Sequence, residues 1–227
     1  MELQNVADKI SNLNERIKAA AKRAGRNPRE IQVLFATKYL SANQIVELAQ
    51  CVNRKVLIGE NIVQDAEKKI NELKQSNSWV FSRLEMHFIG HLQSNKAKEA
   101  LELFDCIQSI DSLKLAGKLN NGAREMGKRL PCYVEVNVSN DPKKFGVKEN
   151  EVEEIVAAIR KLPNLDLIGL MCIAPFGDPE KTRPYFRLLS SLASRFSLKT
   201  SMGMSNDFEV AIEEGSDLIR IGSAVFK

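Results

Sequence analysis

The feature that most limits what this chain can fold into is an alternation. Eight short apolar, β-former-rich runs each lie ahead of a stretch with helical apolar spacing, except the last, where the chain ends. Repeated strand-then-helix order calls for parallel strands joined by right-handed crossovers. Sharing 227 residues among eight units leaves about 28 for each, which suits a closed (β/α)8 barrel near the small end of its size range. The strands are read at 31–39, 56–61, 86–90, 105–110, 132–138, 166–173, 199–202 and 218–226. The helices between them fall at 41–50, 62–74, 95–103, 111–127, 149–161, 179–196 and 205–214, with Ser41 and either Asp111 or Ser112 as N-caps. An open doubly wound sheet is the rival. Its glycine-rich turn after the first strand is replaced here by Lys38-Tyr39-Leu40-Ser41. Leu3, Val6, Ile10, Leu13, Ile17, Ala20, Ala21 and Ala24 predict a further helix ahead of the first strand, with Gly25 as its stop. The expected architecture is α/β: a single (β/α)8 TIM barrel over residues 1–227 with an extra N-terminal helix.

Composition narrows the function classes. The net charge of +4 is spread over interspersed acidic and basic residues, with no basic stripe carrying aromatics, so nucleic acid is not an expected partner. Glu67-Lys68-Lys69 reads as a solvated helix face. Cys51, Cys106, Cys132 and Cys172 show no CxxC spacing, which fits reduced thiols better than a disulfide framework or a zinc site. His87 and His91 bracket a strand end instead of sharing a helical face, and no carboxylate cluster accompanies them, so no metal is expected. Without a signal-like or membrane-length apolar run, the expectation is a cytoplasmic protein with no membrane partner.

In such a barrel, functional groups gather at the carboxyl ends of the strands. Those positions hold Lys38, Asn61, His91, Ser109, Asp111, Asn137, Met171, Ser205, Arg220, Gly222 and Ser223, a polar set rimming an apolar core. Lysine is rarely buried unless paired. Lys38 at the end of Ile31–Tyr39 therefore either reaches water or, in an apolar surround, becomes an amine able to form a Schiff base with an aldehyde. Loops after the seventh and eighth strands are where barrels commonly hold phosphate. Gly203 and Gly222 fall in them, with hydroxyls from Ser205 and Ser223, although Gly203 could simply open a turn and Ser205 simply cap a helix. His91 is placed to stack on or hydrogen-bond a ring. Glu135 is the one charged residue inside the fifth strand.

Several segments together carry a resemblance. ATK at 36–38, GENIVQDA at 59–66, HFIGHLQSNK at 87–96, QSIDS at 108–112, GLMCIAP at 169–175, SMGMSNDFEVAIEEGS at 201–216 and RIGSAVF at 220–226 are similar to the YggS-type pyridoxal-phosphate homeostasis family, over nearly the whole chain. The resemblance implies a barrel like the N-terminal domain of alanine racemase, holding pyridoxal 5′-phosphate (PLP) as a Schiff base. By that likeness Lys38 is the aldimine lysine, and Ser205, Gly222 and Ser223 match phosphate-binding positions. Arg220 matches an arginine facing the pyridine nitrogen, while Asn61 and Met204 fall in other motifs lining the site. Met86 stands where the family often has Trp, Lys144-Phe145-Gly146 where Lys-Ser-Gly is frequent, and the sequence stops at Lys227 without the usual short tail.

An arginine at the ring nitrogen would leave that nitrogen unprotonated and weaken PLP as an electron sink. Alanine racemase-like enzymes draw a second acid/base from a separate β-rich domain, for which this sequence has no residues left. The expected role is therefore a monomeric PLP buffer or carrier in vitamin B6 homeostasis, without robust catalysis, with PLP-dependent apo-enzymes as recipients. The alternatives are a PLP-dependent racemase- or lyase-like enzyme acting on amino acids, or a barrel enzyme such as an aldolase using Lys38 without PLP. Lys144, in a glycine-bearing loop, is read either as a secondary contact for transferred PLP or as a solvated loop lysine.

Overall fold

Each of the eight apolar runs forms a strand, and all pair in parallel in sequence order: β1 (Gln32–Ala36), β2 (Val56–Glu60), β3 (Leu84–Phe88), β4 (Cys106–Ile110), β5 (Leu130–Glu135), β6 (Leu165–Met171), β7 (Lys199–Met204) and β8 (Leu218–Ile221). Pairing of β8 with β1, from Gln32 opposite Leu218 to Phe35 opposite Ile221, closes the barrel. The computed structural model of the chain describes residues 3–52 and 54–226, so Lys227 lies outside the described residues.

The N-terminal helix α1 (Leu3–Arg23) buries Val6, Ile10, Leu13, Ile17, Ala20 and Ala21, the stripe its periodicity demands; the side chain of Leu3 lies outside the described residues. α2 (Ala42–Cys51) begins with a reciprocal capping box between Ser41 and Gln44. α3 (Val63–Ser76) follows β2, and α5 (Ala97–Leu103) follows β3. Ser112, not Asp111, caps α6 (Leu113–Glu125) by accepting the Leu115 N–H. α7 (Val152–Ile159), α8 (Arg183–Arg195) and α9 (Phe208–Glu213) follow β5, β6 and β7. One turn of helix, α4 (Ser78–Phe81), sits ahead of β3 and is too short to show a period in the sequence.

Several boundaries differ from the sequence reading: β1 ends at Ala36 instead of Tyr39 and β5 at Glu135 instead of Val138, and the last two strands differ as well. β8 stops at Ile221 instead of running to 226, and Ser223–Phe226 turn into a short helix, α10. The Ser205 hydroxyl accepts the Gly222 and Ala224 N–H groups, and the Val225 and Phe226 N–H groups fold back onto the Gly222 carbonyl. β7 runs two residues further, to Met204, and α9 starts later, because Asp207 accepts the Met204 N–H at 2.6 Å and forces a turn between them.

Alternate strand residues face two different interiors. The outward set joins the helices in one large apolar core. Registers align the inward set: Leu34 lies opposite both Arg220 and Leu57, His87 opposite Gly59 and Cys106, Glu135 opposite Met171, and Met171 opposite Ser201. Cys106, Tyr133 and Met171 make a small apolar cluster there, and much of the rest is polar.

A Cβ at Gly90 would lie 2.3 Å from the Asn61 carbonyl oxygen, a backbone atom that cannot swing aside. Gly90→Ala is expected to destabilise the fold by about 1–3 kcal/mol. Gly117, in α6, has nothing within 4 Å of such a Cβ, so Gly117→Ala is expected to stabilise by about 0.5–1 kcal/mol. Urea midpoints of the two variants, shifting in opposite directions at constant slope, check both expectations.

Candidate functional site

Lys38 follows Leu34 and Ala36 on the inward-facing alternation of β1, one step beyond the strand's last ladder residue. Its side chain is exposed, with the ammonium 5.1 Å from the centroid of the Tyr39 ring. Of the two sequence readings of this lysine, the structure thus has it reaching solvent, not sunk in an apolar surround. The neighbouring Thr37 is buried and faces outward. Its hydroxyl donates to Glu60 Oε1 at 2.6 Å, and Lys69 donates to the Thr37 carbonyl at 2.8 Å and to both Glu60 oxygens at 2.8 and 3.0 Å. Glu60 is 1% exposed. Lys69 is accordingly no solvated-face residue, as its sequence context suggested, but half of a largely buried ion pair anchoring the backbone under Lys38.

The ends of β7 and β8 meet at Ser205. Its hydroxyl collects the N–H groups of Gly222 and Ala224, both at 3.1 Å, and Ser223 is exposed beside them. A side chain at Gly222 would meet only Ala36, at an ordinary 3.6 Å, so packing within the chain does not demand glycine there. Gly203 is different. Its φ is +90° and a Cβ would stand 2.5 Å from that of Ala211, so it serves the turn onto α9. Met204 is half-buried next to it.

Arg220 is 4% exposed and points into the barrel, where one terminal nitrogen donates to Ser201 Oγ at 2.7 Å and the other to the Cys172 carbonyl at 2.7 Å. Ser201 in turn donates to Gln108 Oε1 at 2.7 Å, the Gln108 amide pairs with His87 Nδ1 at 2.7 Å, and His87 Nε2 lies 3.0 Å from Glu85 Oε1. Lys55, 3.1 Å from Glu85, closes the chain at the opposite end of the barrel. The His87 hydrogen bond, which outweighs partial burial, draws the Glu85 carboxyl down to about 2. Burial lowers the Arg220 pKa from its ordinary value. Glu135, 7% exposed at the end of β5, is pushed up to about 7 by burial and by Asp111, against the pull of Arg220.

The remaining mouth residues sit in loops, except Ser109, which lies within β4. Asn61 is half-buried, and its Oδ1 is fully enclosed without a hydrogen-bond partner; Ser109 Oγ is likewise unpartnered. His91 is exposed, stacked on Phe145 at 3.6 Å between centroids and 10° between planes, with Nδ1 3.3 Å from Asp111. It does stack on a ring, one supplied by the chain itself. Lys144 is half-buried and donates to the Ile173 carbonyl at 3.3 Å. Tyr39, Ile62, Phe145, Ile173 and Phe176 are exposed along this rim. Among the described residues no group of three or more His, Cys, Asp or Glu could hold a metal ion. His87, Gln108, Ser201, Glu135 and Lys69 were not singled out for the site from the sequence; for the first four the only signal was polarity inside strands, and Lys69, on α3, gave none.

Residues 9–227 match the family model described as alanine racemase, N-terminal domain. The pyridoxal phosphate homeostasis protein of Escherichia coli (strain K12) is 36% identical over 233 residues, covering 99% of this chain and 97% of that protein. Its counterpart in Aquifex aeolicus (strain VF5) is 37% identical over 230 residues, covering 98% and 97%. PipY of Synechococcus elongatus PCC7942, solved with PLP bound, superposes with a TM-score of 0.82 at 29% identity, covering 98% of this chain and all of that one. An alanine racemase from Clostridium difficile 630 shares the fold, with a TM-score of 0.69 at 16% identity, and this chain spans 56% of it.

One part of the pH dependence of folding, between pH 4.5 and 7, follows from Glu135. Its folded pKa of about 7 exceeds the ordinary 4.5, so the folded chain holds a proton that the unfolded chain releases. That contribution is complete below pH 4.5 and is lost as pH rises through about 7. Glu135→Gln is therefore expected to gain about 2–3 kcal/mol on the wild type across this interval, measured by urea unfolding at a series of pH values.

Proposed function

The chain belongs to the pyridoxal phosphate homeostasis proteins, built on the alanine racemase N-terminal domain, and from that membership we propose that it binds PLP and buffers or carries it within the cell. The observation that carries the reading is the junction of β1 and β8. Lys38 stands two residues past Ala36, and among the described residues, chain neighbours aside, a Cβ at Gly222 would touch Ala36 alone. The strand that leads to this amine is therefore the neighbour of the strand whose following N–H groups, of Gly222 and Ala224, hold the Ser205 hydroxyl in place.

The residues present fit the cofactor. The Ser205 hydroxyl, held by the Gly222 and Ala224 N–H groups, and Ser223 would take its phosphate beside the Gly222 backbone, and the amine of Lys38 its aldehyde. Arg220, which offers donors only, would face its ring nitrogen. The enclosed, unpartnered Oδ1 of Asn61 is a further polar group awaiting a donor, and Met204 and His91 would line the remaining wall. When bound, PLP supplies an aldehyde that a primary amine captures and returns reversibly. The chain's own part is to hold the cationic Arg220 fixed, keep the Lys38 backbone anchored and present the donors. No described helix is long and apolar enough to cross a membrane. The remaining elements of the reading are a single-domain monomer in the cytoplasm that hands PLP to apo-enzymes.

Purified protein is expected to develop an absorbance band at about 420 nm on adding PLP, and Lys38→Ala to lose it. A wild type that stays colourless removes the proposal, and a band retained in Lys38→Ala moves the attachment to another lysine. Amino-acid turnover that vanishes in Lys38→Ala would make the protein an enzyme instead of a carrier.

A further inference from the structure

Beyond β5 the chain doubles back on itself. Val136 and Val147 form a parallel bridge, and Asn137 Nδ2 donates to the carbonyls of Asp141 at 2.8 Å and Lys144 at 3.2 Å. Gly146, with φ of +106°, permits the approach, since a Cβ there would lie 2.7 Å from the Asn137 nitrogen. The folded-back loop encloses a cavity of about 170 Å³ lined by Glu135, Asn137, Lys143, Lys144, Phe145 and Ile173.

The charges around this cavity are not paired with one another. Glu135 is more than nine-tenths buried as a residue, yet its carboxylate makes no hydrogen bond or ion pair to any described residue. Neither the Lys143 nor the Lys144 ammonium pairs with a carboxylate among the described residues, although the Lys143 backbone N–H donates to Asp141 Oδ1 at 2.9 Å; the Lys144 ammonium is turned onto the Ile173 carbonyl. The charges nearest Glu135 are Arg220, committed to Ser201 and the Cys172 carbonyl, and Asp111, which repels it. A buried carboxylate without a donor is costly, and such groups in folded proteins ordinarily have a partner. A cavity with a carboxylate lacking a donor on one side and two ammonium groups not paired with a carboxylate on another complements a small dipolar ion. With about 30 Å³ per water in the liquid, the volume holds five or six waters, enough for a small amino acid.

We propose that this cavity binds a small free α-amino acid, its ammonium on Glu135 and its carboxylate toward Lys143 and Lys144, with Phe145 and Ile173 against the side chain. The site stands whether or not Lys38 carries PLP. If it does, an amine able to receive the aldehyde is held at the same mouth.

Isothermal titration of the cofactor-free full chain with L-alanine, methylamine and propionate tests this. Alanine should bind more tightly than either fragment, since it engages both ends at once. Glu135→Gln should weaken alanine and methylamine at least about tenfold while leaving propionate no weaker, because only the ammonium contact is lost. A second readout needs no variant: saturating alanine should shift the Glu135 carboxyl ¹³C titration to lower pH, as a bound ammonium favours the carboxylate. Absence of alanine binding, unchanged affinity in Glu135→Gln, or an unmoved titration each overturns the proposal. With no cofactor present, none of these outcomes depends on whether PLP binds.

Discussion

A guanidinium charge sealed inside the barrel is what the rest of the interior is arranged to tolerate. Removing an ion from water costs several kcal/mol even after relaxation, and only well-aimed partners offset it. Arg220 finds a hydroxyl and a carbonyl, and the hydroxyl is held in turn by Gln108, His87 and Glu85, until the chain reaches water at Lys55. Five strands contribute side chains or backbone to that line between Glu85 and Arg220 if Cys172, just past β6, is counted with its strand. A barrel filled with branched aliphatic layers could not accommodate it. The interior instead keeps a single small apolar cluster, around Cys106, Tyr133 and Met171, beside the polar line.

The same arrangement separates two kinds of stability. The strand–helix layer is mainly apolar, the Thr37–Glu60–Lys69 group aside, and holds the barrel closed. The inner line contributes little net stability, since each hydrogen bond replaces one to water, yet losing one member leaves another buried and unsatisfied. Its value lies in direction. Arg220 is fixed by two donor contacts on different strands, so its charge has one orientation in which Glu135 and the mouth feel it.

The order of elements was legible because it depends on local periodicity, and the positions of Lys38, Ser205 and Arg220 at or near strand ends were legible for the same reason. What escaped the sequence depends on closure. Ser201 and Gln108 stand 93 positions apart and become neighbours only when the barrel is complete. Lys69 looked like part of a charged helix face until β2 brought Glu60 against it. Strand eight was read too long because Ala224, Val225 and Phe226 suit a strand locally, whereas the Ser205 hydroxyl, from another loop, captures the backbone and turns it. Glu135 was visible as an exception inside an apolar run, but its isolation from any partner is a property of the folded loop above it.

The anchored backbone beneath Lys38 has a kinetic corollary. Thr37 is tied to Glu60 and Lys69 on one side, and its carbonyl also receives the Leu40 N–H, so the root of the lysine arm cannot wander. Only the four-carbon stem is free to search, through rotamer hops on the picosecond-to-nanosecond scale, with no slower loop rearrangement to await. An encounter at this amine is thus limited by arrival of the visitor and by the chemistry of the bond, not by the protein making room.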